Sequence, residues 1–337
     1  MLSEINASLY TILIYAFAQL NDNGTLKSLD PWADITKEGY LKFNALKNTN
    51  PTLKTLLGIG GWSEGSERFS AMVRTKKTRR VFIQSVLEFL KTYGFDGIDL
   101  DWEYPTRRGG KPEDKTNLSL LLKELRKEFD EHGYLLTMAV ISGAGSIDSI
   151  YEVSSLSKFL DYILLMTYDM HSSANGRTGE NAPLRSNDSF NVEFSTKSWI
   201  QKGANRAKII LGIPTYGKSF TLTDHKNHGI GAPTKGPGLP GPYSKSNGTL
   251  YYFEILQFIK TLGWVREWSD EQLVPFSYNG DQWVGYDDVE SVAKKVDFVV
   301  DQRLGGIMLW SIDMDDPRGL VGPKFPLTQA IKAKLKQ

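Results

Sequence analysis

The stretch Asp96-Gly-Ile-Asp-Leu-Asp-Trp-Glu-Tyr-Pro105 decides the fold of this chain. Taken as a β-strand, its side chains alternate between two faces with a period of two. One face carries Asp99, Asp101 and Glu103, and the other carries Ile98, Leu100 and Trp102. The apolar set is what a strand buries beneath a helical layer. The acidic set places neighbouring carboxyl groups roughly 6.5–7 Å apart along one line. A solvated strand face is the bland alternative, but same-sign neighbours repel there and stabilise nothing. Carboxyl groups packed where their pKa values interact mark chemistry more often than architecture.

Working outward, short apolar and β-prone runs recur at Thr11–Ala18, Leu53–Gly60, Gly94–Glu103, Leu135–Ser142, Tyr162–Tyr168, Lys208–Thr215 and Gly306–Ile312. Several are almost continuously hydrophobic, as strands buried on both faces of a parallel sheet must be. Between them, apolar residues repeat at three-to-four spacing, as in Phe82, Val86, Phe89, Leu90 and Tyr93, or Leu118, Leu121, Leu122, Leu125 and Phe129. Val289, Val292, Val296 and Val299 repeat likewise near the end, so amphipathic helices are predicted there. Alternating strand and helix predicts a (β/α) barrel or a doubly wound sheet. No Gly-rich dinucleotide fingerprint follows the first run, which argues against the doubly wound option.

The rhythm breaks once. From Gly217 to about Asp287 it gives way to Gly/Pro-rich loops (Gly229–Gly241), aromatic clusters and a short helical piece around Glu254–Leu262. A structureless loop of that length does not suit a compact domain, so a small α+β insertion is expected before the last strand. The predicted organisation is a barrel over residues 1–216, an α+β insertion over 217–287 and the last helix-strand-helix of the barrel over 288–337. Seven strand runs fall one short of the eight that a TIM (β/α)8 barrel closes with. Either a strand is missing at the N-terminus or one is hidden elsewhere.

Composition narrows the function classes. The 337 residues carry 40 Lys+Arg against 39 Asp+Glu, a net charge of +1, so no global field favours nucleic acid or an anionic membrane. Eight Trp and 15 Tyr are enough for some rings to serve as surface platforms for a flat-faced ligand. The chain has no cysteine, which excludes disulfides, thiol nucleophiles and Cys-based zinc sites. His132, His171, His225 and His228 offer no ligand pair at helical spacing, so no metal centre is expected. The opening Met-Leu-Ser-Glu has no basic n-region and Thr11–Ala18 is too short to span a bilayer, so neither a signal peptide nor a transmembrane helix is read. Sequons at Asn6, Asn23, Asn117, Asn187 and Asn247 permit glycosylation of a secreted chain.

In a barrel of parallel strands the active site lies at the strands' C-terminal ends. Glu103 is placed there, with Trp62, Ser142, Tyr168-Asp169, Tyr216 and Trp310 at the ends of other runs. A mouth with an acidic centre and aromatic walls suits carbohydrate, whose C–H faces stack on rings while its hydroxyls and amides hydrogen-bond. Glu103, the most reachable of the acids, is the expected general acid. Asp101 and Asp99 behind it are like charges at close range, so at least one pKa in the set is expected to rise. That keeps a carboxyl protonated near neutral pH, as acid catalysis requires.

With Gly60-Gly61-Trp62, Met166-Thr-Tyr-Asp169 and Met308-Leu-Trp310 beside it, DGIDLDWEYP resembles the family-18 glycoside hydrolases, the chitinases, and most of all their animal members. The similarity extends through YAFA (15–18), TGENAPL (178–184), GIPTYGKSF (212–220), GIGAPT (229–234), GPGLPGPY (236–243) and WVGYDD (283–288). The resemblance implies a TIM barrel and an endo-acting chitinase with a substrate-assisted retaining mechanism, an exception to the two-carboxylate rule. Glu103 would protonate the glycosidic oxygen, and the substrate's 2-acetamido carbonyl would attack the anomeric carbon. Asp101 would orient the acetamido N–H with Asp99 sharing its proton, and Tyr168, supported by Asp169, would hydrogen-bond the acetamido carbonyl. Phe17, Trp62, Tyr104, Met166, Tyr216, Glu254 and Trp310 would contact sugar. It implies chitin or chitooligosaccharide as partner, a secreted monomer, and no cofactor or metal. The alternative within the resemblance is a chitinase-like lectin that binds without cleaving.

Against this pattern, the extra N-terminal strand of relatives is absent, which would open the barrel between its first and last strands, and the framework cysteines are absent too. Ala174 stands where many relatives place Trp, and Lys218 where many place Arg, which keeps the charge but loses the fork-shaped geometry. Other residues have structural readings. Asp96 is expected at the strand's entrance and Trp102 against a helix, Met166 alone would be core, and Trp62 and Trp310 could be buried anchors.

Overall fold

A computed structural model of the chain describes residues 2–336. The chain forms two compact units, one of residues 2–165 with 199–209, the other of residues 166–198 with 210 onward.

In the first unit β1 (Ile12–Leu20), β2 (Leu26–Ser28), β3 (Lys54–Gly60), β4 (Gly97–Asp101), β5 (Leu135–Ile141) and β6 (Tyr162–Met166, whose last residue belongs to the other unit) follow in the order β2-β1-β3-β4-β5-β6. β1, β3, β4 and β5 pair in parallel, in a register that sets Gly60 beside Asp101. The additional strand is β2, which pairs antiparallel with β1 and so does not supply the eighth parallel strand. Before β1 the described residues form only short 3₁₀ turns.

Helix Lys76–Tyr93 starts where Thr75 and Thr78 cap each other reciprocally and stops at Gly94, which takes a left-handed φ of 80°. It buries Phe82, Ile83, Val86 and Leu90. Helix Asp114–His132 buries Leu118, Leu121, Leu122, Leu125 and Phe129, the stripe its spacing predicted.

In the second unit β7 (Ile209–Pro214) pairs in parallel with the last strand, Gly306–Trp310. Between them in sequence lie β8 (Tyr216–Leu222), β9 (Thr234–Pro237), β10 (Thr249–Tyr251), β11 (Val265–Ser269), β12 (Val274–Asn279) and β13 (Gln282–Gly285). These form an antiparallel sheet in the order β10-β8-β13-β12-β11, with β9 on β8. The final strand, Gly306–Trp310, is β14. β9 falls inside the Gly/Pro-rich stretch read from sequence as loop. Helices Tyr252–Thr261, Val289–Asp301 and Pro326–Leu335 share a core with Val284, Ile255, Val292, Val296, Leu327 and Ile331. Among the described residues no helix is long and apolar enough to cross a membrane.

Candidate active site

In the first unit the site is built on backbone that side chains cannot enter. Gly60 and Gly61 take φ of 110° and 82°, and a Cβ on either would collide with Asp101 O or the Phe17 ring. Gly61 N donates to Asp101 O at 2.9 Å. The Gly-Gly pair therefore seats the turn Trp62–Glu64 directly against the acid strand, with Phe17 over it.

β4 is buried on both faces. Ile98 and Leu100 are buried on the apolar face, and Trp102 just beyond them stacks on Phe69 at 5.1 Å and donates its indole N–H to Ser66 Oγ at 2.9 Å. That is the helix-packed role the sequence assigned it. Asp96, at the strand's entrance, accepts from Thr55 N at 2.8 Å and Lys47 Nζ at 3.0 Å, a structural residue as expected.

The acidic face is closed to water as well. Asp99 is 4% exposed, Asp101 7% and Glu103 9%. Burial pushes the Asp99 carboxyl up to about 7, while a hydrogen bond from Thr137 Oγ1 at 2.5 Å pulls it back. Asp101 is pushed well above the ordinary carboxylate range, first by burial, then by the charges of Glu103 and Asp99. Among the described residues, Asp101 Oδ1 is buried without a hydrogen-bond partner. The Tyr104 hydroxyl is pushed up by burial first and then by the neighbouring Glu103, to which it hydrogen-bonds. The cluster thus keeps protons near neutral pH and holds an acceptor in reserve beside Glu103, which lies two residues past the strand's end.

Trp62 is 61% exposed, with the Arg108 guanidinium 3.6 Å from its ring centroid. It is a surface ring and not a buried anchor.

The second unit carries the remaining predicted residues. Met166 ends β6 half-buried, and Trp310 ends β14 half-buried with its carbonyl accepting from Thr215 N at 2.9 Å. The rings of Tyr168 and Tyr216 meet edge-on at 6.3 Å. Asp169 stands in the left-handed region at φ 58°, and its Oδ1 takes the Tyr216 hydroxyl at 2.6 Å and Lys218 Nζ at 2.9 Å. Glu254 is placed otherwise than the sequence suggested. It is fully buried, and its carboxylate accepts from Tyr243 N at 2.6 Å, Ser244 N at 3.0 Å and Tyr251 N at 2.8 Å. Two of these bonds hold the Tyr243–Ser244 loop and the third caps the start of helix Tyr252–Thr261, so the carboxylate is taken up by backbone and presents no wall to a ligand.

Glycosyl hydrolases family 18 matches residues 2–315. The chain belongs to this family. Chitotriosidase-1 of Mus musculus is 41% identical over 349 residues, spanning 98% of this chain and 73% of that protein. The Group IV chitinase of Ostrinia furnacalis, solved with allosamidin, is 39% identical with a TM-score of 0.97, covering 99% of this chain and 93% of that one. Human YKL-39, described as a pseudo-chitinase that retains chitooligosaccharide binding, is 40% identical with a TM-score of 0.92, covering 100% and 94%. The family therefore holds both active enzymes and inactive binders, on a TIM-barrel fold.

Three residues of this family-18 chain were not legible as site residues. Asn181 is fully buried, with Oδ1 accepting from Asp169 N at 2.9 Å, Nδ2 donating to Tyr216 O at 2.9 Å, and its carbonyl accepting from Met170 N at 3.0 Å. It closes a ring of bonds through Asp169 and Tyr216, and its only sequence signal was membership of the TGENAPL run. Tyr151 is buried, its hydroxyl pushed up by burial and by the charges of Asp101 and Glu103, with nothing in its local sequence to say so. Arg108 sits in an unremarked Arg-Arg-Gly-Gly turn, donating to Trp62 O at 2.8 Å and Glu103 O at 2.9 Å.

Proposed function

We propose that the protein is an endo-acting chitinase that hydrolyses β-1,4 bonds of N-acetylglucosamine polymers with retention of configuration. Glu103 protonates the glycosidic oxygen as the C–O bond breaks. The substrate's acetamido carbonyl oxygen bonds to the anomeric carbon, giving an oxazolinium ion, and Glu103 then takes a proton from the water that opens it. Asp101 accepts the acetamido N–H, and Asp99 shares the proton that keeps the pair from carrying two adjacent charges. Tyr168 donates to the acetamido carbonyl, and Trp310, Trp62, Tyr104, Phe17, Met166 and Tyr216 contact sugar. The mechanism calls for no cofactor.

One observation carries this reading: a buried carboxylate oxygen, Asp101 Oδ1, that has no donor among the described residues and lies in a strand with raised carboxyl pKa values. A native protein leaves such a group unpaired only for a reason, and an amide N–H supplied by substrate is one. The antiparallel sheet within 217–287 supports reading that segment as an insertion that deepens the groove. Secretion and a monomeric state complete the proposal by resemblance.

The test is hydrolysis of a fluorogenic chitobioside by wild type and Glu103→Gln, with chitooligosaccharide binding measured in parallel. Wild type is expected to turn over about 10²–10⁴-fold faster than the variant, with binding retained in both. Wild type that binds but turns over no faster than Glu103→Gln would move the protein to the lectin reading, the state described for human YKL-39.

A further inference from the structure

Arg108 follows the acid strand in a tight turn, at a φ of 53° that residues other than glycine rarely take. Its carbonyl accepts from Ser66 N at 3.2 Å, and Ser66 Oγ donates to Tyr104 O at 2.9 Å. The turn is thereby stitched to the one that carries Trp62. A single terminal nitrogen, Nη1, donates both to Trp62 O at 2.8 Å and to Glu103 O at 2.9 Å, while the guanidinium plane covers the Trp62 indole at 3.6 Å. Its neighbour Arg107 is as exposed but turns away, donating to Ser146 Oγ at 2.9 Å.

Two consequences follow. The guanidinium is tethered at two carbonyls, so it cannot leave the indole without abandoning both. It is a fixed backing and not a mobile cover. Trp62 remains 61% exposed with one face occupied, so its open face is the other one. A large ring left free at the surface would lose rotamer freedom on binding, and a ring held beforehand does not. Only a flat, multi-donor cation can stack and bind two carbonyls together, which a lysine cannot do.

We propose that Arg108 is a positioning residue that fixes Trp62 as a one-sided platform for a pyranose ring of an N-acetylglucosamine oligomer and ties that platform to the backbone of the proton donor. The proposal rests on the functional reading above and names the residue on which that platform depends.

The test is a double-mutant cycle in the Glu103→Gln background, titrating the N-acetylglucosamine tetramer calorimetrically. Arg108→Ala is expected to weaken binding about three- to fivefold, the size of an exposed cation–π contact with some added ordering. Arg108→Lys is expected to restore little of it while melting at the parent's temperature, which separates positioning from folding. In the Trp62→Ala background, Arg108→Ala is expected to have no further effect, because its influence passes through that ring. An Arg108→Ala variant that binds like its parent, or whose loss adds fully to that of Trp62→Ala, overturns the proposal and leaves the functional reading standing. A Glu103→Gln parent that binds no tetramer overturns both.

Discussion

Asp34 and Asp101 are both buried aspartates of the same compact unit, 4% and 7% exposed, and they are treated in opposite ways. Asp34 is surrounded by donors. Its Oδ1 takes the Tyr15 hydroxyl at 2.7 Å, and its Oδ2 takes Ser28 Oγ at 2.6 Å, Asp30 N at 3.1 Å and the Tyr40 hydroxyl at 3.2 Å. The two tyrosines pay in kind, their hydroxyls pushed up first by burial and then by Asp34 itself. Asp101 has an oxygen with no partner among the described residues and two other acids in line with it. Asp34 is saturated with hydrogen bonds, whereas Asp101 is left short of them, as the role proposed for it requires. Burial alone does not tell the two apart.

The largest effect should come from exchanging the treatment of these two sites. Asp34→Ala strips the acceptor from three hydroxyls and an amide, and is expected to lower the unfolding free energy by about 3 kcal/mol or more in urea titration, without altering the chemistry. Asp101→Asn is expected to do the reverse. Melting stays at or above wild type, because a desolvated acid among acids is removed, while turnover of the fluorogenic chitobioside drops about a hundredfold or more. If Asp101→Asn proves the less stable variant and Asp34→Ala the less active one, the contrast collapses.

The next effect uses pH. Burial raises Asp99 to about 7 from an ordinary value of 3.8, so the folded state holds a proton that the unfolded chain has released. The associated stability is fully present below the ordinary value and is lost as pH rises from about 4 towards about 7. Asp99→Asn, which does not titrate, is expected to flatten that decline by a few kcal/mol at most across the window. Some slope will remain. Glu180, fully buried, is also raised by burial and by Asp287, and Lys295, paired with Asp287 at 2.6 Å, offsets the rise only in part. Urea midpoints at pH 4.5 and 7.5 measure the difference, and parallel wild-type and Asp99→Asn curves would show that Asp99 keeps its proton equally in both states.

How much of this was legible in the sequence depends on the kind of information each residue carries. All seven strand runs and the helices with long apolar stripes could be read, because burial on one or both faces writes itself into local periodicity, as in Leu118–Phe129 or Lys76–Tyr93. The order of acids on one strand was legible for the same reason. Asp34 was not, since its donors come from residues 15, 28, 30 and 40, and nothing local shows that they converge. Glu254 was misplaced for a related reason. Its type suited a sugar groove, but the backbone amides of Tyr243, Ser244 and Tyr251 claim it first. Arg108 and Asn181 act through hydrogen bonds to backbone, most of them distant in sequence, which leave no local periodicity to read.

The smallest effect concerns an acid that is neither buried nor starved. The Asp169 side chain is 52% exposed and pairs with Lys218 at 2.9 Å, the lysine itself 21% exposed. Solvent screens such a pair, and exposed ion pairs contribute about 0.2–1 kcal/mol. Position does not depend on it either, because the buried Tyr216 hydroxyl holds the same oxygen at 2.6 Å and Asn181 holds the Asp169 amide at 2.9 Å. Lys218→Met is therefore expected to shift unfolding free energy by less than about 1 kcal/mol, with turnover of the chitobioside staying close to that of wild type. Asn181→Ala, which releases both backbone anchors, should cost more on each count. Should Lys218→Met instead lose activity as deeply as Asp101→Asn, the lysine's charge acts on the reaction itself, and the division between saturated and starved carboxylates would no longer sort this site.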